Sequence, residues 1–168
     1  MRLLRIPSQL PFALSLLLAV SSVVIAVLLS AYLQLAACPL CIVQRVLYLI
    51  VAIASTLGLY LQQRALIRKL ASLLATISSA TGTVVTGYQI YLQHNPFAAS
   101  CGTGDSWWEL GVERAGELWP LVFKADGLCS DGDWTFLSVT LAEWSLLAFI
   151  VLFLLAAFSL FSLRSRHA

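Results

Sequence analysis

The sequence predicts an all-α membrane protein in which four transmembrane helices form a bundle, and both composition and charge placement support this fold class. The 168-residue chain is 60% hydrophobic and 11% charged, whereas soluble domains are about 45–50% apolar and about 25% charged. Its mean hydropathy of +0.91 is correspondingly high. The charged residues are also clustered, so that long stretches of the chain carry no charge.

Four uncharged stretches are long enough to cross a membrane, since a helix needs roughly 20 apolar residues to span the hydrocarbon core. We expect transmembrane helices near residues 11–33, 42–61, 70–92 and 143–163. The chain is then expected to be a single membrane domain over residues 1–168, with a short outer loop at 34–41 and a long outer loop at 93–142.

The end of the first predicted span, Leu35-Ala36-Ala37-Cys38, resembles a lipoprotein signal-peptidase site. The apolar region of a signal peptide is about 7–15 residues long, whereas this apolar stretch is long enough to cross the membrane. We therefore expect the first helix to be retained.

The basic residues predict the orientation, because Lys and Arg collect on the cytoplasmic side of short loops and tails. Those of the two tails and the second connection are Arg2, Arg5, Arg64, Arg68, Lys69, Arg164 and Arg166. Both termini are therefore expected in the cytoplasm. All 8 acidic residues and all 5 tryptophans fall on the opposite side or at its edge, so we expect the outer face to carry the chemistry.

The four cysteines, Cys38, Cys41, Cys101 and Cys129, all lie on or next to this outer face. An even number of cysteines in an oxidising compartment favours disulfides. Cys38 and Cys41 have a redox spacing, because a bridge that closes so small a ring restrains the unfolded chain very little. Cys101 and Cys129 are equally compatible with a structural staple, and three pairings of the four cysteines are open.

A zinc site is the alternative use of four cysteines, with Cys38 and Cys41 as one ligand pair. The other two cysteines are far apart in the sequence and form no second close pair. His167 is expected in the cytoplasm and His94 is a lone residue at the end of the third predicted span. We therefore expect no metal site.

The head of the second predicted span places two sulfurs at a helix N-terminus. Pro39 after Cys38 predicts that Cys38 is the N-cap and Pro39 the first helical residue. Unpaired backbone N–H groups and the helix dipole favour a thiolate there, and the thiolate is the reactive form of cysteine. Arg45 lies four residues beyond Cys41 and so about one turn deeper on the same face, with Gln44 beside it.

Arg45 has two interpretations. An ionisable residue inside a predicted span favours a functional role. The alternative is that Arg45 snorkels to the headgroups from its depth of roughly 10 Å below the Cys38 end of the helix. The neighbouring Gln44 and the Cys38–Cys41 pair favour the functional interpretation.

Five segments, in order, resemble the disulfide bond formation protein B (DsbB) family, the bacterial quinone-linked partner of the thioredoxin-fold oxidase DsbA. They are CPLCIVQR at 38–45, NPFAASC at 95–101, the stretch 119–123 that leads to Cys129, WTFL at 134–137 and EWSLL at 143–147. A Cys-x-x-Cys alone would be weak evidence. These segments together, in order, make the resemblance specific, and the resemblance covers nearly the whole chain.

The resemblance implies an electron relay through both cysteine pairs. Cys101 and Cys129 would form the loop disulfide that accepts electrons from a reduced periplasmic DsbA-type thiol oxidase, with Cys101 taking the mixed disulfide. Cys129 would then attack Cys38, and Cys41 would be left as a thiolate beside a quinone.

The resemblance also implies a cofactor and a location. Cys41, Gln44 and Arg45 would bind the quinone, either ubiquinone or menaquinone, with Arg45 stabilising charge on the sulfur and on the reduced ring. Some relatives carry an acid at the position of Gln44, which leaves a proton-transfer role there open. The protein would lie in the bacterial inner membrane, in contact with the lipid and quinone pool, and would have no nucleic-acid partner.

Two other functions fit parts of the pattern. A quinone or vitamin K epoxide reductase would use the same cysteines to reduce a lipid cofactor, but in that family the Cys-x-x-Cys usually lies on a late helix. A non-enzymatic scaffold or small transporter stapled by disulfides is the second alternative. Paired charges within the spans would favour transport, and only Arg45 lies well inside a predicted span.

Overall fold

The computed structural model describes residues 9–33, 37–61, 63–95, 107–125, 127 and 135–164. The elements in chain order are α1 (Leu10–Tyr32), α2 (Pro39–Tyr60), α3 (Ala65–His94), α4 (Trp107–Leu118), α5 (Pro120–Phe123), β1 (Thr135–Phe136), β2 (Val139–Thr140) and α6 (Leu141–Arg164). Strands β1 and β2 form an antiparallel hairpin that leads directly into α6.

Helices α1, α2, α3 and α6 are each long and apolar enough to cross a membrane, which confirms the predicted class of an all-α protein with four membrane-spanning helices. Large apolar side chains on the outside of the bundle are exposed, for example Leu17 at 69%, Val84 at 72% and Leu154 at 61%. A surface this apolar suits lipid, because water solvates it poorly.

The helix bounds differ from the predicted spans at several ends. Helix α2 begins at Pro39, three residues before the predicted span 42–61 and in agreement with the N-cap predicted at Cys38. Helix α3 has 30 residues and extends beyond both ends of the predicted 70–92. At about 1.5 Å per residue it is about 45 Å long, so its ends reach past a hydrocarbon core of about 30 Å. The predicted loop 93–142 contains α4, α5 and the hairpin.

The four long helices pack in a ring, in which α1 contacts α2, α2 contacts α3, α3 contacts α6 and α6 contacts α1. The residues at these contacts are mainly small, and Ala19, Ala54, Ser55 and Ser79 are fully buried. Small residues allow helix backbones to approach closely, which is how helices associate where lipid supplies no hydrophobic driving force between them. The ring therefore packs tightly along most of its length.

Two glycines let aromatic rings lie directly against a helix backbone. A Cβ atom added at Gly58 would overlap the ring of Phe12, and one added at Gly82 would overlap the ring of Phe149. Both rings are buried. The first contact joins α1 to α2 and the second joins α3 to α6. The two glycines therefore set the spacing between neighbouring helices on two sides of the bundle.

The start of α6 is held by a reciprocal pair of hydrogen bonds. The backbone N–H of Thr140 donates to Oε2 of Glu143 at 2.7 Å, and the backbone N–H of Glu143 donates to Oγ1 of Thr140 at 3.3 Å. This arrangement is a capping box, which satisfies backbone donors that a helix start leaves unpaired. Trp144 adds a hydrogen bond from Nε1 to the carbonyl of Phe136 at 3.3 Å, so the hairpin is attached to the first turn of α6.

Gly82→Ala should destabilise the bundle, because the added methyl group overlaps the enclosed ring of Phe149. Overpacking a core costs typically about 1–3 kcal/mol, which exceeds the roughly 1 kcal/mol by which alanine is favoured over glycine in a helix. Gly87→Ala on the same helix is the matched control, since a Cβ atom there meets nothing within 4 Å. Thermal unfolding in detergent should give the lower melting temperature for Gly82→Ala. Equal melting temperatures would show that Phe149 can move aside.

Candidate active site

The Cys38–Cys41 pair lies at the first turn of α2, and its two sulfur atoms are 2.8 Å apart. Cys38 is the N-cap, as predicted, and its sulfur accepts a hydrogen bond from the backbone N–H of Cys41 at 3.3 Å. Pro39 follows as the first helical residue, where its missing N–H leaves no intrahelical bond unmade. The pair is therefore close enough to form or open a disulfide with little backbone movement.

The two sulfurs differ in accessibility. Cys38 is 3% exposed and packs with Leu40 and Leu92, whereas Cys41 is partly exposed and lies against this cluster together with Val85. A thiolate must be accessible to react, and a helix N-terminus favours the thiolate form. Cys41 is therefore the sulfur that a small molecule can reach, and Cys38 is the covered partner.

A chain of hydrogen bonds connects the Cys41 sulfur to α3 and α6. Gln89 of α3 donates from Nε2 to Sγ of Cys41 at 3.3 Å, and Gln44 donates from Nε2 to Oε1 of Gln89 at 2.5 Å. Ser145 of α6 donates from its hydroxyl to Oε1 of Gln44 at 2.9 Å. Both glutamines are buried, so these bonds replace the water that their amides would otherwise require.

Tyr48 forms the inner end of this chain. Its hydroxyl lies 3.0 Å from Oγ of Ser145 and 3.1 Å from the Ser145 carbonyl oxygen. Its ring stacks on Phe149, with the ring centroids 4.0 Å apart. The chain of polar groups that begins at Cys41 therefore ends at two stacked rings, which connect α2 and α6 across the bundle.

Arg45 is buried, and its guanidinium reaches two other elements. Nη1 donates to the carbonyl of Val122 in α5 at 2.7 Å. Nη2 donates to the hydroxyl of Ser30 at 2.7 Å and to the carbonyl of Ala26 at 3.3 Å, both in α1. All three acceptors are neutral, so none of them cancels the charge, and Arg45 also interacts electrostatically with both sulfurs of the pair.

The segment around α5 is held over the head of α2 by two contacts. One is the bond from Arg45 to Val122. The other is a hydrogen bond from the backbone N–H of Gly127 to the carbonyl of Ala37 at 3.1 Å. Ala37 directly precedes Cys38, so Gly127 lies next to the residue that precedes the covered cysteine of the pair.

The structure places four of the residues predicted for the site at the head of α2. Cys38, Cys41 and Arg45 lie at the head of α2, and Gln44 reaches Cys41 only through Gln89. Cys101 and Cys129 lie outside the described residues.

Gln89 and Ser145 were not predicted from the sequence. A signal was available for Gln89, since an amide inside an apolar span needs a hydrogen-bond partner there. Ser145 had no comparable signal, because serine can bond to the carbonyl of its own helix.

The fold and the site define a class of protein, namely a multi-pass membrane protein with a redox-type cysteine pair at one end of a four-helix bundle. A sequence model of the family described as disulfide bond formation protein DsbB matches residues 8–159 of this chain. The chain therefore belongs to the DsbB family, as the resemblance predicted, and it is a disulfide-forming oxidoreductase of a membrane.

Individual relatives agree with this assignment. The chain is 38% identical to disulfide bond formation protein B of Nitrosomonas europaea over 129 residues, which cover 74% of this chain and 79% of that protein. It is also 38% identical to disulfide bond formation protein B of Dechloromonas aromatica over 129 residues, or 76% of each chain. With disulfide bond formation protein B 1 of Pseudomonas entomophila it shares 32% identity over 131 residues, which cover 78% and 77% of the two chains.

Arg45→Met should loosen α5, because it removes the donor to the Val122 carbonyl without leaving a buried charge. A hydrogen bond to a charged group contributes about 1.5–3 kcal/mol, so amide hydrogen exchange in residues 122–124 should become at least about tenfold faster. Arg64→Met is the control, since Arg64 is exposed at the N-cap of α3. The anchoring role is wrong if both variants exchange these amides at the parent rate.

Proposed function

We propose that this chain is a protein-dithiol:quinone oxidoreductase, which reoxidises a DsbA-type thiol oxidase and passes the electrons to a membrane quinone. The observation that carries the proposal is the Cys38–Cys41 pair itself, with sulfurs 2.8 Å apart in the first turn of a membrane-spanning helix. Arg45, about one turn deeper, supplies a positive charge that interacts with both sulfurs, and its hydrogen-bond acceptors among the described residues are neutral. Membership of the DsbB family supports the disulfide-forming part of this activity.

Each turnover would transfer two electrons and two protons. The dithiol of the partner would become a disulfide, and each cysteine pair of this chain would be reduced and reoxidised in turn. A bound quinone would be the final acceptor of the two electrons. Thiol–disulfide exchange proceeds by attack of a thiolate on a sulfur. The first turn of α2 favours that thiolate through its unpaired backbone N–H groups and the helix dipole.

The residues at the head of α2 fit a quinone, which is a flat apolar ring with two oxygens that accept hydrogen bonds. Cys41, which is partly exposed, and the apolar side chain of Val85 pack against the same buried cluster. Arg45 and Gln44 would supply the polar contacts, as the family resemblance implies. Ubiquinone and menaquinone share the chemistry that these side chains recognise.

The first electron-accepting pair in this proposal is Cys101 and Cys129. Cys101 would form the mixed disulfide with the partner, and Cys129 would then attack Cys38. The hydrogen bond between Gly127 and Ala37 supports the second step, since it holds the chain next to Cys38. Cys129 is two residues further along, and two residues of chain span at most about 7 Å.

The proposal includes an orientation. Both termini would be cytoplasmic, by the placement of Lys and Arg. The head of α2 would then open to the periplasm of a bacterial inner membrane, where an oxidising environment allows disulfides to persist. A soluble dithiol partner would meet the outer loop there, while quinone would come from the lipid.

Cys101→Ser separates the two ends of the proposed relay. The variant should no longer oxidise a reduced DsbA-type protein, because the loop disulfide that the partner's thiolate would attack cannot form. It should still reduce quinone when a small dithiol supplies electrons directly to Cys38 and Cys41. The assay is anaerobic mixing of purified protein, reduced DsbA-type protein or small dithiol, and quinone, followed by quinone absorbance.

The controls of this assay test the whole proposal. Cys41→Ser should be inactive with both electron donors. If the parent protein reduces quinone neither with the reduced DsbA-type protein nor with the small dithiol, the proposed function is wrong. If Cys101→Ser oxidises the partner at the parent rate, only the assignment of Cys101 is wrong.

Arg45 variants should weaken the quinone reaction in a graded way. Arg45→Lys keeps the charge but loses the planar guanidinium that reaches α1 and α5 at once, so quinone reduction should be impaired. Arg45→Met should be more severe and raise the Michaelis constant for quinone at least about tenfold, as expected for loss of a hydrogen bond from a charged donor. Steady-state rates against quinone concentration measure both effects. Parent-like values for both variants would mean that Arg45 has no part in the quinone reaction.

A further inference from the structure

The hydrogen bond between Gln89 and the Cys41 sulfur has no role in the relay described above. Gln89 lies on α3, is 5% exposed and directs its amide nitrogen at Sγ of Cys41 from 3.3 Å. Arg45, the cation nearest in sequence, donates its hydrogen bonds to α1 and α5. A neutral amide from another helix therefore donates to the reactive sulfur.

The hydrogen bonds behind Gln89 all run in one direction. The Ser145 hydroxyl donates to Oε1 of Gln44, and Nε2 of Gln44 donates to Oε1 of Gln89. The Ser145 hydroxyl donates its only proton to Gln44. The Tyr48 hydroxyl therefore donates to Ser145, and the acceptor is either the hydroxyl oxygen or the carbonyl oxygen of Ser145. The donors thus follow one another from Ser145 to the sulfur, with each N–H or O–H pointing towards Cys41, and Tyr48 donates to Ser145 behind them.

We infer that Gln89 is a positioning residue that stabilises the thiolate form of Cys41, and that Gln44, Ser145 and Tyr48 hold its amide in the donating orientation. The inference extends the proposed function, because it assigns a source of thiolate stabilisation at the same sulfur. Gln44 then acts on Cys41 through Gln89 in addition to any contact with quinone.

Physical chemistry favours this arrangement for an anion at a membrane boundary. A thiolate needs donors and a thiol does not, so an N–H held against the sulfur stabilises the charged form selectively. Hydrogen bonds aligned in one direction polarise one another. A neutral donor also avoids the large cost of burying a second charge, so the amide is suited to the covered side of the sulfur.

The charged and titratable groups that the structure describes near Cys41 include residues of α2, α3 and α6. On α2 these groups are Cys38, Arg45 and Tyr48. His94 at the end of α3 is exposed and bonds to the carbonyl of Ile90. Glu143 on α6 accepts the backbone N–H of Thr140 in the capping box. Among the residues that the structure describes, no carboxylate belongs to the chain from Tyr48 to Cys41.

The test measures the thiolate directly, without quinone. In the full-length chain carrying Cys38→Ser, Cys101→Ser and Cys129→Ser, Cys41 is the single thiol. Its thiolate content at pH 7 follows from ultraviolet thiolate absorbance and from the rate of alkylation. Adding Gln89→Met keeps the length of the side chain but removes the donor, and should lower the ratio of thiolate to thiol roughly tenfold, as expected for loss of a hydrogen bond to a charged group.

Gln44→Met is the second variant and distinguishes positioning from packing. It keeps the length of the side chain but removes the N–H for Oε1 of Gln89 without adding a charge. The Gln89 amide is then no longer held with its N–H towards Cys41. The thiolate fraction should fall towards that of Gln89→Met, although residue 44 does not bond to the sulfur.

Thr86→Val is the matched control, since Thr86 lies about one turn deeper on α3, is buried and donates to the carbonyl of Gly82 in its own helix. It should leave the thiolate fraction unchanged. A parent-like fraction in folded Gln89→Met overturns the inference, and if that variant does not fold, Gln44→Met decides in the same way. Because this assay contains no quinone, the inference can fail while the parent still reduces quinone, and the proposed function can fail while Gln89 still controls the thiolate.

Discussion

Buried polar side chains at one end of a membrane bundle must find their hydrogen-bond partners on neighbouring elements, because hydrocarbon contains no water to supply them. At the head of α2 this requirement involves three side chains. Arg45 bonds to α1 and α5, and Gln44 and Gln89 bond to each other and to groups of α2 and α6. Each bond ties α2 to another element, so the position of the cysteine pair depends on all of them together.

The rest of the bundle is held by different means. Buried alanines and serines let the helices approach, and the Ser72 and Ser159 hydroxyls lie 3.3 Å apart between α3 and α6. The rings of Phe12 and Phe149 fill the spaces that Gly58 and Gly82 leave. Such packing has little freedom to adjust, which makes the inner part a rigid support for the polar groups above it.

Two kinds of polar group therefore serve the cysteine pair from different sides. Arg45 interacts with the sulfurs through its charge and holds α5 through Val122, whereas Gln89 donates to Cys41. An arginine directly bonded to the sulfur would favour the thiolate more strongly but would be less available to other anionic groups. Because Gln89 and not Arg45 donates to Cys41 among the hydrogen bonds described above, the guanidinium is bonded to other groups. Its acceptors among the described residues are neutral, so its charge stays beside the cysteine pair.

The local sequence was enough to predict the four apolar spans, the N-cap at Cys38 and the place of Arg45 one turn below the pair, because each depends on residues within one or two helical turns. The partners of those residues could not be predicted. Gln89 meets Cys41 across 48 positions of the chain, and Val122 meets Arg45 across 77. Helix periodicity says which face a residue occupies but not which helix lies opposite. The neighbours of the sulfur were therefore decided only when α3, α5 and α6 packed around α2.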